Sequence, residues 1–283
     1  MRFIIYTVLF LSFILLGWGE ESLAKPLRVV SMSLCSDELV LRLVDRENIA
    51  AVTKSALIPY ISSVTEQAKG MKTIMGTVEE ILMLDPDLII AGEYTDRQKV
   101  SLLKQLGFNV KLMGNSKNFD ELKNVIREVA QLTEEQSKAE VLIKDMEKRL
   151  QRLYIEKPSK INVVFYWPGG RVAGTETMIH SIMESAGVYN MAEQFGIQYY
   201  DVLNLENLVM NNPDLMIMSD YKTEIPTILR EILSHPVITK GFPGRKTMHL
   251  PSQFLLCGSP ANIDAAEILS AYVKENFKKD QRK

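Results

Sequence analysis

Two glutamates stand at the same place in two copies of one short pattern. Glu79 lies seven residues before Pro86-Asp87-Leu88, and Glu206 lies seven residues before Pro213-Asp214-Leu215. Each copy reads as a short amphipathic helix stopped at proline, followed by an apolar run suited to a buried parallel strand. A carboxylate so placed can be simply a solvated first-turn acid favoured by the helix dipole, and its recurrence at the same place in both copies is the feature to explain.

Other reactive side chains are sparse. The chain has two cysteines, Cys35 and Cys257, and three histidines, His180, His235 and His249. The histidines are not spaced with other ligands as a zinc or manganese site requires, so no metal site is expected. The cysteines leave three readings open: a disulfide, thiols that touch a ligand or soft metal, or two small buried residues without a role. The last is favoured, because a disulfide needs Cα atoms within about 7 Å and both cysteines fall in loops on opposite sides of an expected cleft. No G-x-S-x-G, H-E-x-x-H, G-x-x-x-x-G-K or G-x-G-x-x-G pattern occurs in a productive position, and no enzyme is expected. A thiol-dependent enzyme at Cys35 is the remaining catalytic alternative.

Strand and helix signals alternate along the chain, which argues for parallel sheets covered by helices. Ligands in such sheets sit beyond the carboxyl ends of the strands. The loops there carry Tyr60, Tyr94, Trp167, Arg171, Tyr221 and Phe254, with Tyr200 nearby. Their flat apolar faces suit a large planar or chelated ligand, and Arg171 suits a ligand carboxylate. Ordinary packing is the alternative for each aromatic.

Between the two copies runs Thr133 to Ile155, which reads as one long helix. Ala139, Leu142, Ile143, Met146, Leu150 and Leu153 form an apolar stripe at helical period. Thr133 and Gln136 are placed for a capping box, and Pro158 limits continuation. The expected organisation is an N-terminal lobe over 25–132, a connecting helix over 133–157 and a C-terminal lobe over 158–283. Residues 1–24 read as a signal peptide: Arg2, an apolar run from Phe3 to Leu16, then Ser22-Leu23-Ala24. Cleavage near Ala24 would release an exported chain, and no cysteine near that point suggests a lipid anchor. A formal net charge of −2 offers no footprint for nucleic acid.

Several ordered segments resemble the periplasmic substrate-binding proteins of ABC importers for ferric siderophores, heme and vitamin B12. They are Arg28-Val29-Val30-Ser31 with Asp37-Glu38-Leu39, the Gly76…Glu79…Pro86-Asp87-Leu88 unit, Gly174…Gly187…Asn190, the Glu206…Pro213-Asp214-Leu215 unit, and Ser259-Pro260. The resemblance implies an α/β fold of two Rossmann-like lobes joined by a single long backbone helix. It implies capture of a ferric siderophore, heme or cobalamin between the lobes by a periplasmic monomer with no resident cofactor. It also implies delivery to an ABC permease and its ATPase subunits, with Glu79 and Glu206 docking on permease arginines. An apolar sterol-like or quinone-like cargo, suggested by Leu255-Leu256, is one alternative. A sensor or protein-binding module of the same fold is another.

Overall fold

The computed structural model describes residues 28–154, 160–167, 169–219 and 246–277. The expected signal peptide, Tyr221, His235, a helix expected from Pro226 to Leu233 and the basic tail from Lys278 lie outside them. Strands β1 (Val29–Ser31), β2 (Ile49–Thr53), β3 (Thr73–Ile74), β4 (Leu88–Gly92) and β5 (Val110–Met113) form a parallel sheet in the order β3-β2-β1-β4-β5. Its helices are α1 (Leu34–Leu43), the one-turn α2 (Thr65–Ala68), α3 (Val78–Leu84), α4 (Arg97–Gln105) and α5 (Phe119–Thr133). Both faces of this sheet are covered, so its central strands are apolar at successive positions rather than alternate ones. Val29, Leu88 and Ile90 join a core shared with the second lobe, whereas Val30, Ile89 and Ala91 pack with Ile81, Leu84, Val100 and Leu103. Each buried Val, Leu or Ile among these contributes about 1.5–3 kcal/mol relative to exposure.

The second lobe repeats the plan with β6 (Asn162–Phe165), β8 (Tyr189–Asn190), β10 (Leu215–Ser219) and β11 (Lys246–Leu250) in the order β11-β10-β6-β8. It adds a two-stranded antiparallel ladder of β7 (Arg171–Ala173) with β9 (Tyr200–Val202). The sequence reading holds no strand at either position: each is three residues long, and they pair across the intervening helix α7 (Met178–Ser185). Helices α8 (Leu205–Asn211) and α9 (Asn262–Asn276) also belong to this lobe.

The strut, α6, spans Gln136–Leu153, roughly 27 Å at 1.5 Å per residue. It begins at Gln136 instead of Thr133, and the expected capping box is absent. Thr133 is the buried last residue of α5, and its hydroxyl donates to the Val129 carbonyl at 2.9 Å. Glu134 turns left-handed (φ 56°), and the Glu135 N–H closes on the Ala130 carbonyl at 2.8 Å. That six-to-one bond terminates α5. The apolar stripe packs as expected, with Ala139, Ile143, Met146 and Leu153 buried. Ions tie the two halves of the strut to different lobes. Lys138 pairs with Asp45 at 2.5 Å near one end, and Arg149 forks onto Asp264 (2.7 Å) and Glu267 (2.6 Å) of α9 near the other.

Ser33 caps α1 in a capping box with Ser36, which puts Cys35 in the first turn of the helix. The last helix starts at Asn262, past Ser259-Pro260, because the Asn262 side chain accepts the Ser259 N–H at 2.7 Å and holds the preceding turn.

Candidate functional site

Chain crossovers diverge at one place in each parallel sheet, and the crevice beyond the strand carboxyl ends there is the natural ligand site. In the first lobe this place lies between β1 and β4; in the second it lies between β6 and β10. At the first, the loops after β1, β4 and β5 surround a cavity of about 350 Å³. Met32, Ser33, Cys35, Glu93, Tyr94, Asp96, Lys99, Met113 and Asn115 contribute to its wall, and Leu256 and Gly258 arrive from the second lobe. The carboxylate of Glu93 accepts the Asn115 N–H at 3.3 Å, while that of Asp96 caps α4 by accepting the Gln98 N–H at 2.8 Å.

At the second divergence point, half-buried Trp167 lies 4.2 Å from the Phe165 ring and meets Tyr200 edge-on at 5.3 Å. The β7–β9 ladder carries Tyr200 and Arg171 together, setting Ala173 opposite Tyr200 and Arg171 opposite Val202. Burial pushes the Tyr200 phenol up; Tyr94 of the other lobe adds to this, and Arg171 opposes it. Tyr200 therefore feels both Tyr94 from the other lobe and Arg171 of its own ladder. Of the other aromatics read from the sequence, Tyr60 is 47% exposed on the turn after β2, and Phe254 packs on the shared core. Neither lines the cavity.

The lobes touch at the cavity edge. Cys35 and Cys257, 222 residues apart, are joined by a disulfide with Cα atoms 5.2 Å apart. The favoured sequence reading, two unpaired residues, does not describe this arrangement. Capping by Ser33 lifts Cys35 into the first turn of α1, and Asn262 arranges the opposite loop by donating to the Phe254 (2.8 Å) and Cys257 (3.0 Å) carbonyls. The cleft is closed to contact distance there. A Cβ on Gly258 would lie 2.1 Å from the Ser116 hydroxyl oxygen. Lys117 reaches Glu176 at 3.4 Å and the Tyr199 hydroxyl at 3.5 Å. Sequence reasoning missed Glu93, Asn115, Ser116, Lys117, Glu176 and Tyr199. The carboxyl ends of β4 and β5 would have pointed to the first four.

Asp37, buried two residues after Cys35, anchors this first turn. Its carboxylate accepts the Thr53 N–H at 3.1 Å and the Thr53 hydroxyl. Burial raises its pKa from 3.8 to about 6, against the opposing bonds from Ser31 and Thr53. The folded chain thus holds a proton there that the unfolded chain has already lost. Stability from this group is present below about pH 4 and is lost as pH rises to about 6, a change of about 3 kcal/mol at 1.36 kcal/mol per pKa unit. Asp37→Asn is expected to remove that component while keeping the bond to the Thr53 N–H. Urea unfolding of both proteins at about pH 4 and pH 7 tests it; equal pH dependence would contradict the assignment.

At the lobe tips the repeat in sequence is a repeat in shape. Thr77 caps α3 and Asn204 caps α8, each helix is seven residues long, and each ends on a left-handed residue before proline, Asp85 (φ 44°) or Asn212 (φ 37°). Glu79 and Glu206 are both exposed second residues of their helices. Met83 and Met210, one turn on and 78% and 75% exposed, share those faces. His180 lies 3.5 Å from Glu184 and 3.3 Å from the Asn190 amide, and His249 is exposed on β11. Among the described residues no group of three or more side chains could hold a metal ion, and no helix is long and apolar enough to cross a membrane.

The chain is 23% identical over 199 residues to a cobalamin-binding protein of Halobacterium salinarum, covering 69% of this chain and 54% of that one. It is 24% identical over 209 residues to the uncharacterized ABC transporter substrate-binding lipoprotein YvrC of Bacillus subtilis, covering 69% and 64%. It thus spans between half and two thirds of these curated relatives. Among solved structures, the apo periplasmic heme-binding protein RhuT of Roseiflexus sp. RS-1 matches with a TM-score of 0.71 at 24% identity, over 88% of this chain and 98% of that one. The periplasmic vitamin B12 binding protein BtuF of Vibrio cholerae matches at 0.66 and 19%, over 90% and 99%. These likenesses establish the fold of two α/β lobes on a helical backbone. The periplasmic binding protein family matches over residues 29–241, from β1 to beyond β10, and the chain belongs to that family.

Proposed function

We propose that this chain is the exported solute-binding component of an ABC importer, capturing a metal chelate between its lobes and passing it to a membrane permease driven by ATPase subunits. One observation carries the reading: the divergence points of the two sheets face each other, one offering the cavity with Tyr94, the other the Trp167–Tyr200 pair beside Arg171. Flat aromatic rings suit a broad, partly apolar ligand face, and Arg171 suits a carboxylate on its rim. Similar proteins named for cobalamin binding, heme binding and Fe3+-hydroxamate transport support a chelate as cargo. The chelate is the transported solute, and no resident cofactor is invoked. Cleavage near Ala24 would deliver the chain to the periplasm.

Removing the signal peptide also removes Trp18, leaving Trp167 as the only tryptophan of two. Titrating the mature chain with a ferric hydroxamate, hemin and cyanocobalamin, and following Trp167 emission and heat, tests the proposal. Saturable quenching with matching heat by one chelate is expected. Silence across the panel would overturn the chelate reading and turn attention to an apolar cargo against Leu256.

Glu79 and Glu206 are the proposed contacts to permease arginines. Glu79→Arg with Glu206→Arg is expected to leave chelate affinity unchanged and to cut uptake by the native host at least about tenfold, the equivalent of 1.4 kcal/mol. Undiminished uptake would sink the docking assignment.

A further inference from the structure

The cavity of the first lobe is not complete within that lobe. Leu256 and Gly258 close its wall, and they flank Cys257, the second-lobe half of the disulfide. Asn262 shapes this loop only within its own lobe, and the other ties across this edge of the cleft are weaker. Lys117 and Glu176 are 40% and 49% exposed, and such pairs contribute little. The Ser116–Gly258 approach is a contact without a bond. The strut joins the lobes through a helix whose ion pairs lie on Asp45, α5 and α9, not on the cavity wall.

We propose that the Cys35–Cys257 bridge is a redox-dependent clamp on the ligand site. Bridged, it holds Leu256 and Gly258 as the second-lobe wall of the cavity. Reduced, it frees that wall and weakens capture. A dithiol supplies the two electrons and two protons: its thiolate attacks Cys35, which lines the cavity, and the S–S bond breaks with release of the Cys257 thiolate. The second dithiol sulfur then displaces Cys35, leaving two protein thiols and an oxidised, cyclic dithiol. Linkage makes the effect reciprocal, so a ligand that binds the bridged form more tightly resists reduction of the bridge by the same factor. The ligand half of this inference rests on the solute-binding reading; the wall-closing half does not.

The test compares the mature bridged chain, the same chain reduced with dithiothreitol, and the Cys35→Ser/Cys257→Ser double variant. The variant is the control for reduction of ferric iron by the dithiol. Without ligand, amide hydrogen exchange is expected to rise in the loops 92–96 and 255–258 on loss of the bridge, with β1, β4, β6 and β10 still protected. With hemin, a ferric hydroxamate or cyanocobalamin, whichever quenches Trp167, affinity is expected to fall about tenfold or more, as a preformed wall becomes one that must be ordered on binding. Unchanged loop exchange, or affinity within about twofold of the bridged chain, overturns the clamp. If no chelate binds at all, the cargo reading fails and loop exchange alone decides the clamp.

Discussion

Replacing Cys35 and Cys257 together by serine is expected to lower the free energy of unfolding by up to about 5 kcal/mol. The bridge spans 222 residues, and the chain-entropy account assigns a loop of that length about 5 kcal/mol through restriction of the unfolded state. For a chain of this size the melting temperature would fall by roughly 10–20 °C. Folding should survive, because two sheets and a continuous core across both lobes remain, but the margin would shrink toward the lower end of the usual range of about 5–15 kcal/mol. Urea unfolding and calorimetry of the double variant, beside the bridged parent, measure the loss. A cost below about 1 kcal/mol would mean that the unfolded chain is already compact enough to make the cross-link redundant. This stability loss is separate from the clamp, which is read at the loops and in affinity.

Gly174→Ala should have the next largest effect, and its origin is steric. A Cβ at this position would sit 2.3 Å from the Ile197 carbonyl oxygen and 2.6 Å from two carbonyl carbons of the same segment. That segment is hydrogen-bonded back to the chain at Gly174: the Gly174 N–H donates to the Tyr199 carbonyl, and the Glu176 N–H to the Gln198 carbonyl, both at 2.6 Å. No rotamer can relieve a clash with backbone, so the segment must move. The expected cost is about 3 kcal/mol, the upper end of ordinary overpacking. Because the displaced stretch leads into Tyr199 and Tyr200, the edge contact of Tyr200 with Trp167 would change and the Lys117–Tyr199 contact would loosen. Trp167 emission and thermal melting report both consequences. An unshifted spectrum with an unshifted melt would show that the segment has room the structure does not reveal.

The predictions divide along the two kinds of information in this chain. Caps, stops and face patterns act within a few residues, and they were legible. The helices opened by Thr77, Asp96 and Thr177 follow from short polar side chains that accept orphan N–H groups. The parallel sheets follow from apolar runs between helices, and the strut follows from a stripe repeating at three and four residues. The two lobe-tip helices with Glu79 and Glu206 are the clearest case, since cap, glutamate, left-handed stop and proline recur in the same order. Where local reading slipped, it slipped at a helix end, at Gln136, where the left-handed turn at Glu134 closes the preceding helix and takes up the Glu135 N–H.

The candidate site was only half legible for the same reason. Loop position placed Tyr94, Trp167, Arg171 and Tyr200 near a cleft, because strand carboxyl ends determine where crevices open in parallel sheets. Which of them meet depends on contacts between distant segments. The β7–β9 ladder brings Arg171 beside Tyr200, Gly174 seats the segment behind it, and Leu256 with Gly258 completes a cavity built by the other lobe. By itself the sequence determined most of the elements, their order and the duplicated tips, all set by propensities and hydrophobic period over short range, but not the β7–β9 ladder, whose strands pair across α7. Only the tertiary structure decided that Cys35 and Cys257 pair and that the cleft closes at their edge, because bringing together residues 222 apart depends on the packing of both lobes against one strut.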